Sequence, residues 1–226
     1  MHTLNIIDDI GHILSEYGAL FLHAYGVSLF IALTAYLGGT VLAIILTVAR
    51  ISPIGILRSF VTIYVEVFRN APMLTLLFFL YYALPYLGVV TSELGAVIWA
   101  LVLVCSAFAC DNLQSGINSI PQGEIEAARS LGLSFIHIVR HIILPQALRT
   151  VISPMTTLLV MVIISSSTGA LLPITHYELT GLVNSLNNTH ALGIATIAVA
   201  ALFYIGTGIL VGWLGGKLEK KVELHR

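Results

Sequence analysis

The residues of this chain that are best spaced to act together lie in one charged segment, residues 118–141, and at the start of the apolar run after it. Seven positions define the spacing: Glu126, Ala127, Ala128, Gly132, Ile142, Leu144 and Pro145. Alanines favour a helix and leave room for a partner to approach. A glycine after them can end that helix in the left-handed conformation. The spacing therefore predicts a short docking helix rather than a catalytic site.

A docking helix must be held in place, and the composition indicates that membrane helices hold it. Hydrophobic residues make up 58% of the 226 residues and charged residues 9%, whereas soluble domains carry about 25% charged residues. The mean hydropathy is +0.97. These values indicate an all-α polytopic membrane protein, and the net charge of −1 argues against a nucleic-acid partner. Cys105 and Cys110, five residues apart in one apolar run, are predicted to be buried small residues.

We predict one transmembrane domain over residues 1–226 with five spans, because a span needs about twenty apolar residues. The predicted spans cover about residues 19–49, 56–84, 94–117, 142–165 and 191–215. The second combines a short apolar run with a more polar stretch, which draws Glu66 and Arg69 towards the membrane. At the end of residues 118–141, the chain is expected to turn through Ser134–His141 and to re-enter the membrane at Ile142. A polar stretch, Pro173–His190, separates the last two spans.

The basic residues predict the orientation of these spans. Lys and Arg occur between the first and second spans, between the third and fourth, and after the fifth, whereas the other connections carry none. Because basic residues accumulate on the cytoplasmic side, we predict an N-terminus outside and a C-terminus in the cytoplasm. Residues 118–141 are then cytoplasmic, and His137 and His141 within them are interpreted as surface histidines.

At this spacing the segment resembles the EAA loop of permease subunits of bacterial ABC importers: Glu-Ala-Ala, three residues, glycine, nine residues and Ile-x-Leu-Pro. Residues 66–74, 119–123 and 145–149 resemble stretches of the permeases for polar amino acids, the group that takes up histidine, glutamine, arginine and glutamate. The resemblance runs from about Tyr25 to Lys221. It implies five spans with the N-terminus outside, in the bacterial inner membrane.

The resemblance also implies a set of partners. Two permease subunits, identical or sister chains, form the pathway, and two ATP-binding subunits hydrolyse ATP with magnesium. An external substrate-binding protein delivers the amino acid. The seven motif positions would couple this chain to the ATPase. The chain itself is expected to be no enzyme and to hold no cofactor or metal. Its nearest match to a phosphate loop, Gly216-Lys217-Leu218, lacks the Ser or Thr that follows the lysine.

Polar residues inside apolar runs are costly and usually line a cavity or pair with one another. Eight of them are candidates for the substrate pathway: Glu66, Arg69, Asn70, Asp111, Gln114, Ser166, Ser167 and Thr168. Similar permeases typically carry Glu, Arg and Lys at positions 111, 114 and 166, so this chain keeps the acidic charge at position 111 and lacks the basic charge at the other two. Either the partner permease holds the substrate or the substrate is unusual. The resemblance places Glu178 in an outer loop that faces the binding protein.

Glu66 and Arg69 are three residues apart, a spacing at which side chains of one helix can form an ion pair. Such a pair could lie along the pathway or could hold the second span at the membrane interface. Two other classes of protein are alternatives to an ABC permease subunit. A secondary transporter or channel would need no ATPase, and a membrane enzyme would need paired carboxylates or a histidine cluster within the spans, which the sequence does not show.

Overall fold

The computed structural model describes residues 6–172, 178–190 and 192–223, and every regular element in these ranges is a helix. The α-helices are α1 (Ile6–Arg50), α2 (Gly55–Asn70), α3 (Met73–Phe78), α4 (Glu93–Asn118), α5 (Gln122–Ser130), α6 (Phe135–Ile138), α7 (Leu144–Ser165), α8 (Leu179–His190) and α9 (Ile194–Glu223). A π-helical and a 3₁₀ turn (Phe79–Ala83, Leu84–Leu87) continue α3, a π-helical segment (Val139–Ile143) joins α6 to α7, and a 3₁₀ turn (Ser166–Leu171) follows α7.

Within the described residues, four helical stretches are long and apolar enough to cross a membrane: Ile7–Arg50, Glu93–Asn118, Ile136–Leu171 and Ile194–Val222. A fifth crossing is obtained if α2 and the helical stretch Met73–Leu87 count as one span. The predicted all-α membrane fold is therefore confirmed. The third predicted span, residues 94–117, agrees with α4 to within one residue at each end.

The second predicted span is not a straight helix. The helices on either side of Ala71 and Pro72 are bent by 105° relative to each other. Proline has no N–H and disfavours helical geometry at the residue before it. Accordingly, Ala71 has φ −71° and ψ 129°, which is extended backbone. Residues 56–84 therefore do not form one straight helix, and a span here would be a broken one.

The first and last helices exceed the predicted spans, because hydropathy marks the length inside the bilayer and not the helix ends. α1 begins at Ile6 rather than near residue 19, and α9 continues to Glu223. The outer part of α1 is helical because it has apolar partners. Its residue Ile13 belongs to one buried cluster with residues of α8 and α9, including Val199.

Two segments expected to be irregular are helical instead. The turn predicted through Ser134–His141 is wrong, because α6 begins at Phe135 and the π-helical segment leads directly into α7. Ile138 anchors this stretch in the protein interior. In the polar stretch Pro173–His190, residues 173–177 lie outside the described residues. The remainder forms α8, which buries four apolar side chains on one face: Leu179, Leu182, Val183 and Leu186.

The centre of the fold is a close contact between α1 and α4 that small residues permit. A Cβ atom built on Gly39 of α1 would lie 2.8 Å from both Cβ and Sγ of Cys105 in α4. Similarly, a Cβ on Gly116 of α4 would lie 3.0 Å from the carbonyl oxygen of Ala147 in α7. Cys105 and Cys110 are free and buried, as the sequence predicted. Close approach of backbones is how membrane helices associate where water supplies no hydrophobic drive.

We expect Gly39→Ala to destabilise the protein by about 1–3 kcal/mol, because the added methyl group must displace Cys105 in a packed interface. The thermal unfolding midpoint of the purified protein in detergent measures this effect. Gly26→Ala is the matched control in the same helix, since a Cβ there meets nothing within 4 Å. Equal unfolding midpoints for the two variants would contradict the close α1–α4 contact.

Candidate coupling segment and polar sites

The short helix predicted for this segment exists as α5, nine residues from Gln122 to Ser130, between the end of α4 and the start of α7. Glu124 lies in its first turn and Arg129 in its last turn, where each charge complements the helix dipole. Gly132 has φ +77°. Its N–H donates to the Arg129 carbonyl, and the Leu133 N–H donates to the Ala128 carbonyl at 3.2 Å. This hydrogen-bond pair is a Schellman ending, so the predicted helix end at Gly132 is confirmed.

The three residues Glu126, Ala127 and Ala128 do not share one surface. Glu126 and Ala127 are exposed, whereas Ala128 is buried against the rest of the protein. Beside α5 lie apolar side chains that the structure leaves open: Leu131 is 82% exposed and Ile136 is 73% exposed. The outer face of this segment therefore combines one carboxylate, one small residue and uncovered apolar surface.

The second part of the motif begins α7 and meets α5 in space. Leu144 is the first residue of α7 and is exposed, and Pro145 lies in the first turn, where its missing N–H costs little. Ile142 is half-buried in the preceding π-helical segment. One residue later, Gln146 Nε2 donates to Glu124 Oε2 of α5 at 2.7 Å. The two ends of the motif are therefore joined by a hydrogen bond between two neighbouring residues that the motif does not include.

The histidines of this segment are on the surface, as predicted. His137 and His141 are both exposed, and their rings stack with centroids 5.5 Å apart. His137 Nδ1 lies 3.0 Å from the Ser134 hydroxyl, and His141 Nδ1 lies 3.1 Å from the carbonyl of His137. The pair therefore continues the helical geometry of α6 into the π-helical segment.

Asp111 of α4 lies between two arginines from other helices. Its Oδ1 accepts from Nη1 of Arg50, the last residue of α1, at 2.6 Å, and its Oδ2 accepts from Arg69 of α2. The predicted pair of Glu66 with Arg69 is therefore wrong. Glu66 instead accepts from Asn70 Nδ2 at 3.3 Å. A fixed carboxylate on a neighbouring helix outcompetes an exposed one on the same helix, because burial strengthens the interaction between charges.

This cluster of three charges is partly shielded from solvent. The side chains of Arg50 and Asp111 are 16% and 27% exposed, and that of Arg69 is 39% exposed. The Arg69 guanidinium also lies 5.2 Å from the ring centroid of Phe108, a favourable cation–π position. One carboxylate thus joins three helices, and the cluster keeps a net positive charge. Gln114, one turn further along α4, is half-buried.

Ser166 and Ser167 lie where the α-helical part of α7 ends. Ser166 is fully buried, and its hydroxyl donates to the carbonyl of Ile163 at 2.7 Å. The Thr168 hydroxyl donates to the carbonyl of Ser165 at 2.8 Å, and Ser167 is half-buried. The hydroxyls of Ser166 and Thr168 therefore satisfy the backbone of the 3₁₀ turn.

A polar cleft of about 250 Å³ opens beside this turn. On one side it is lined by Gly169 and Ala170, which follow Thr168 in the 3₁₀ turn. On the other side it is lined by neutral polar side chains of α8, among them Asn184, Ser185 and Asn188. The cleft therefore presents carboxamides and a hydroxyl next to the segment in which this chain differs from similar permeases.

Glu178 does not face outwards, which corrects the prediction for this residue. Its carboxylate is fully buried and caps the N-terminus of α8. It accepts from the backbone N–H of Gly181 at 2.6 Å, from the N–H of Thr180 at 2.9 Å and from the Tyr204 hydroxyl at 3.1 Å. Burial raises the pKa of the Glu178 carboxyl above its usual value, and these hydrogen bonds offset only part of that rise. The free N–H groups of a buried helix start need such an acceptor.

Four partners in these sites escaped sequence reasoning: Arg50, Gln146, Ser28 and Tyr204. Ser28 of α1 accepts from the N–H of Leu179 at 3.0 Å and thereby joins the cap of α8. Each of these contacts joins residues at least 22 positions apart in the chain. No local spacing marks such contacts, although Arg50 could have been noticed as a charge at the end of an apolar run.

We expect Asp111→Asn to destabilise the protein by about 1–3 kcal/mol, because it leaves two neighbouring guanidinium groups without their shared carboxylate. The thermal unfolding midpoint in detergent measures the loss. Adding Arg69→Gln to Asp111→Asn should recover part of it, since one unpaired charge is removed. Asp9→Asn, at an exposed position of α1, is the control. A midpoint for Asp111→Asn equal to that of Asp9→Asn would refute a stabilising role of the cluster.

Comparison with known proteins agrees with these features. The model of the family described as the binding-protein-dependent transport system inner membrane component matches residues 39–224. The chain is 34% identical over 149 residues to a probable amino-acid ABC transporter permease protein of Bacillus subtilis, covering 66% of each protein. It is 31% identical over 227 residues to a glutamate transport system permease protein of Corynebacterium efficiens, covering 94% of this chain and 98% of that protein.

Solved structures show the same fold. A chain from the crystal structure of an amino acid ABC transporter with histidines superposes with a TM-score of 0.87 at 22% identity, covering 92% of this chain and 96% of that one. A chain of the inward-facing MetNI methionine ABC transporter gives a TM-score of 0.69 at 21% identity, covering 89% and 93%. The resemblance inferred from the EAA spacing is thus confirmed. The chain belongs to the family of inner-membrane components of binding-protein-dependent transport systems, and within it the chain is a permease subunit of the ABC type.

Proposed function

We propose that this chain, as a single domain over residues 1–226, forms half of a pathway for polar amino acids. ATP hydrolysis in two separate subunits drives the transport. The observation that carries the proposal is the placement of α5. It is a short helix with an exposed face, it is ended by Gly132 at φ +77°, and it lies between two helices long enough to span a membrane.

The exposed face of α5 supports docking of a soluble partner. Glu126 and Ala127 are open to solvent, and the side chains of Leu131, Leu133 and Ile136 leave apolar surface uncovered nearby. Buried aliphatic contacts supply affinity in such interfaces, and a charged rim sets their register. An ATP-binding subunit that docks here could move α5. Magnesium and ATP belong to that subunit, and this chain contributes Glu126, Ala127, Gly132, Ile142, Leu144 and Pro145 to the coupling.

The polar side chains within the apolar helices support a pathway for a polar solute. Hydrogen-bonding groups are presented by the positive cluster at Asp111, by the exposed Glu66 and Asn70 of α2, and by the polar cleft that Gly169 and Ala170 line. Polar groups in membrane helices usually line a cavity. A second permease subunit would complete the pathway, and an external binding protein would deliver the substrate. The distribution of basic residues favours an N-terminus outside and a C-terminus in the cytoplasm.

The names of related permeases support the substrate class. They include proteins named for the transport of glutamate in Corynebacterium efficiens and of cystine in Bacillus subtilis. The serines at positions 166 and 167 give this chain an uncharged 3₁₀ turn, so we place recognition of substrate charge in the partner permease. Measuring which amino acids bind the external binding protein would identify the substrate.

A secondary transporter or channel is the alternative function, and reconstitution separates the two. In proteoliposomes that hold the permease, the ATP-binding subunits and the binding protein, we expect amino-acid uptake only when ATP is supplied on the side of the membrane that carries the ATP-binding subunits. Uptake of the same rate by the permease without ATP-binding subunits would overturn the proposal.

We expect Gly132→Val to weaken association with the ATP-binding subunit about tenfold, because a β-branched residue at φ +77° strains the end of α5. Retention of the ATP-binding subunit on the affinity-purified permease measures this, together with ATP-dependent uptake. Glu126→Lys should also reduce retention, because it reverses a charge on the exposed face.

Gly123→Ala is the matched control, since a Cβ at Gly123 meets nothing within 4 Å and its backbone is unstrained. This variant should retain the ATP-binding subunit and transport normally. If Gly132→Val and Glu126→Lys behave like Gly123→Ala in both assays, α5 is not the coupling element.

A further inference from the structure

The hydrogen bond between Glu124 and Gln146 connects α5 to the first turn of α7. Gln146 Nε2 donates to Glu124 Oε2 at 2.7 Å across 22 residues of chain. An amide that donates to a carboxylate makes one of the stronger side-chain hydrogen bonds. Glu124 is exposed and Gln146 is half-buried, so the contact is made at the surface of the junction.

The chain itself also connects α5 to its neighbours, by a short link to α4 and by a longer, irregular link to α7. Towards α4 the chain needs only residues 119–121, and the Ile120 side chain is buried. Towards α7 the chain must pass the left-handed Gly132, the short α6 and the π-helical segment Val139–Ile143. A path with a turn and an irregular helix deforms more easily than a direct contact. The Glu124–Gln146 bond is therefore the shortest connection from α5 to α7.

The first turns of α7 are packed closely against α4. Gly116 of α4 brings the two backbones so close that a Cβ there would lie 2.5 Å from Val151 Cγ1. Ala147, the residue after Gln146, is buried in the same contact. Further along, α7 is followed by the 3₁₀ turn whose residues Gly169 and Ala170 line the polar cleft. A displacement at Gln146 thus acts on a helix that reaches from α5 to the proposed pathway.

We propose that Glu124 and Gln146 are positioning residues that fasten α5 to α7, so that displacement of α5 by the ATP-binding subunit is passed to α7. This inference rests on the proposed coupling role of α5 and adds the route of the motion. Neither residue belongs to the seven positions of the EAA spacing. Both side chains are partly open to water, so the bond adds little to the stability of the fold. Its loss should appear in coupling instead.

The test exchanges the two side chains in the complete transporter, reconstituted with its ATP-binding subunits and binding protein. Gln146→Glu places two carboxylates at the contact and breaks the bond. Combining it with Glu124→Gln restores an amide–carboxylate pair in the opposite direction. The measured quantity is the number of substrate molecules taken up per ATP hydrolysed, with retention of the ATP-binding subunit measured in parallel.

We expect Gln146→Glu to lower the uptake per ATP about fivefold while the ATP-binding subunit stays bound. The exchanged pair should return to within about twofold of the original protein. Glu124→Ala and Gln146→Ala remove the bond without adding charge, and combining them should cause no further loss than either alone. Gln122→Glu adds the same charge at an exposed position of α5 and should leave the ratio unchanged.

The inference is overturned if the exchanged pair remains as low as Gln146→Glu, or if both alanine variants keep the original ratio. Failure of the proposed function has a different signature. In that case the unaltered permease itself would retain no ATP-binding subunit, or would take up substrate without ATP.

Discussion

A bilayer offers no water to the peptide backbone, so each N–H and C=O group inside it must find a partner within the protein. This constraint makes the regular elements of the described residues helical, and it lets α1, α4 and α9 run unbroken through their apolar lengths. It also makes each interruption costly. The interruptions at Pro72, after Ser165 and before Leu179 therefore have identifiable compensations, and they decide where polar side chains are needed.

At these interruptions, several polar side chains form hydrogen bonds with backbone groups and so have a structural role. Pro72 has no N–H to satisfy. The 3₁₀ turn after Ser165 uses the hydroxyls of Ser166 and Thr168 on nearby carbonyl groups. The start of α8 is satisfied by the buried Glu178. Ser166, Thr168 and Glu178, which we predicted to contact a ligand or a partner, instead form hydrogen bonds with backbone groups. A surface open to a ligand lies next to them, in the cleft lined by α8.

The cluster at Asp111 and the segment around α5 differ in how far their charges are exposed to solvent. The cluster of Arg50, Asp111 and Arg69 lies partly shielded between α1, α2 and α4, so its charges interact strongly and join helices. The segment around α5 is exposed, so its charges and its apolar side chains remain available to a partner. The shielded cluster joins three helices, and the exposed helix contacts α7 through the hydrogen bond between Glu124 and Gln146.

The sequence by itself determined the membrane class, the short helix ended at Gly132 and the family, because hydropathy, helix capping and a fixed motif spacing are local properties. It also placed α4 to within one residue. It could not reveal the angle of the bend at Pro72, the helical stretch from Phe135, or the partners of Asp111, Glu178 and Glu124. Those depend on which helices pack side by side, and residues far apart in the chain are chosen as neighbours by close packing and burial. Only the tertiary structure decided that Arg69 pairs with Asp111 and that Glu178 points inwards.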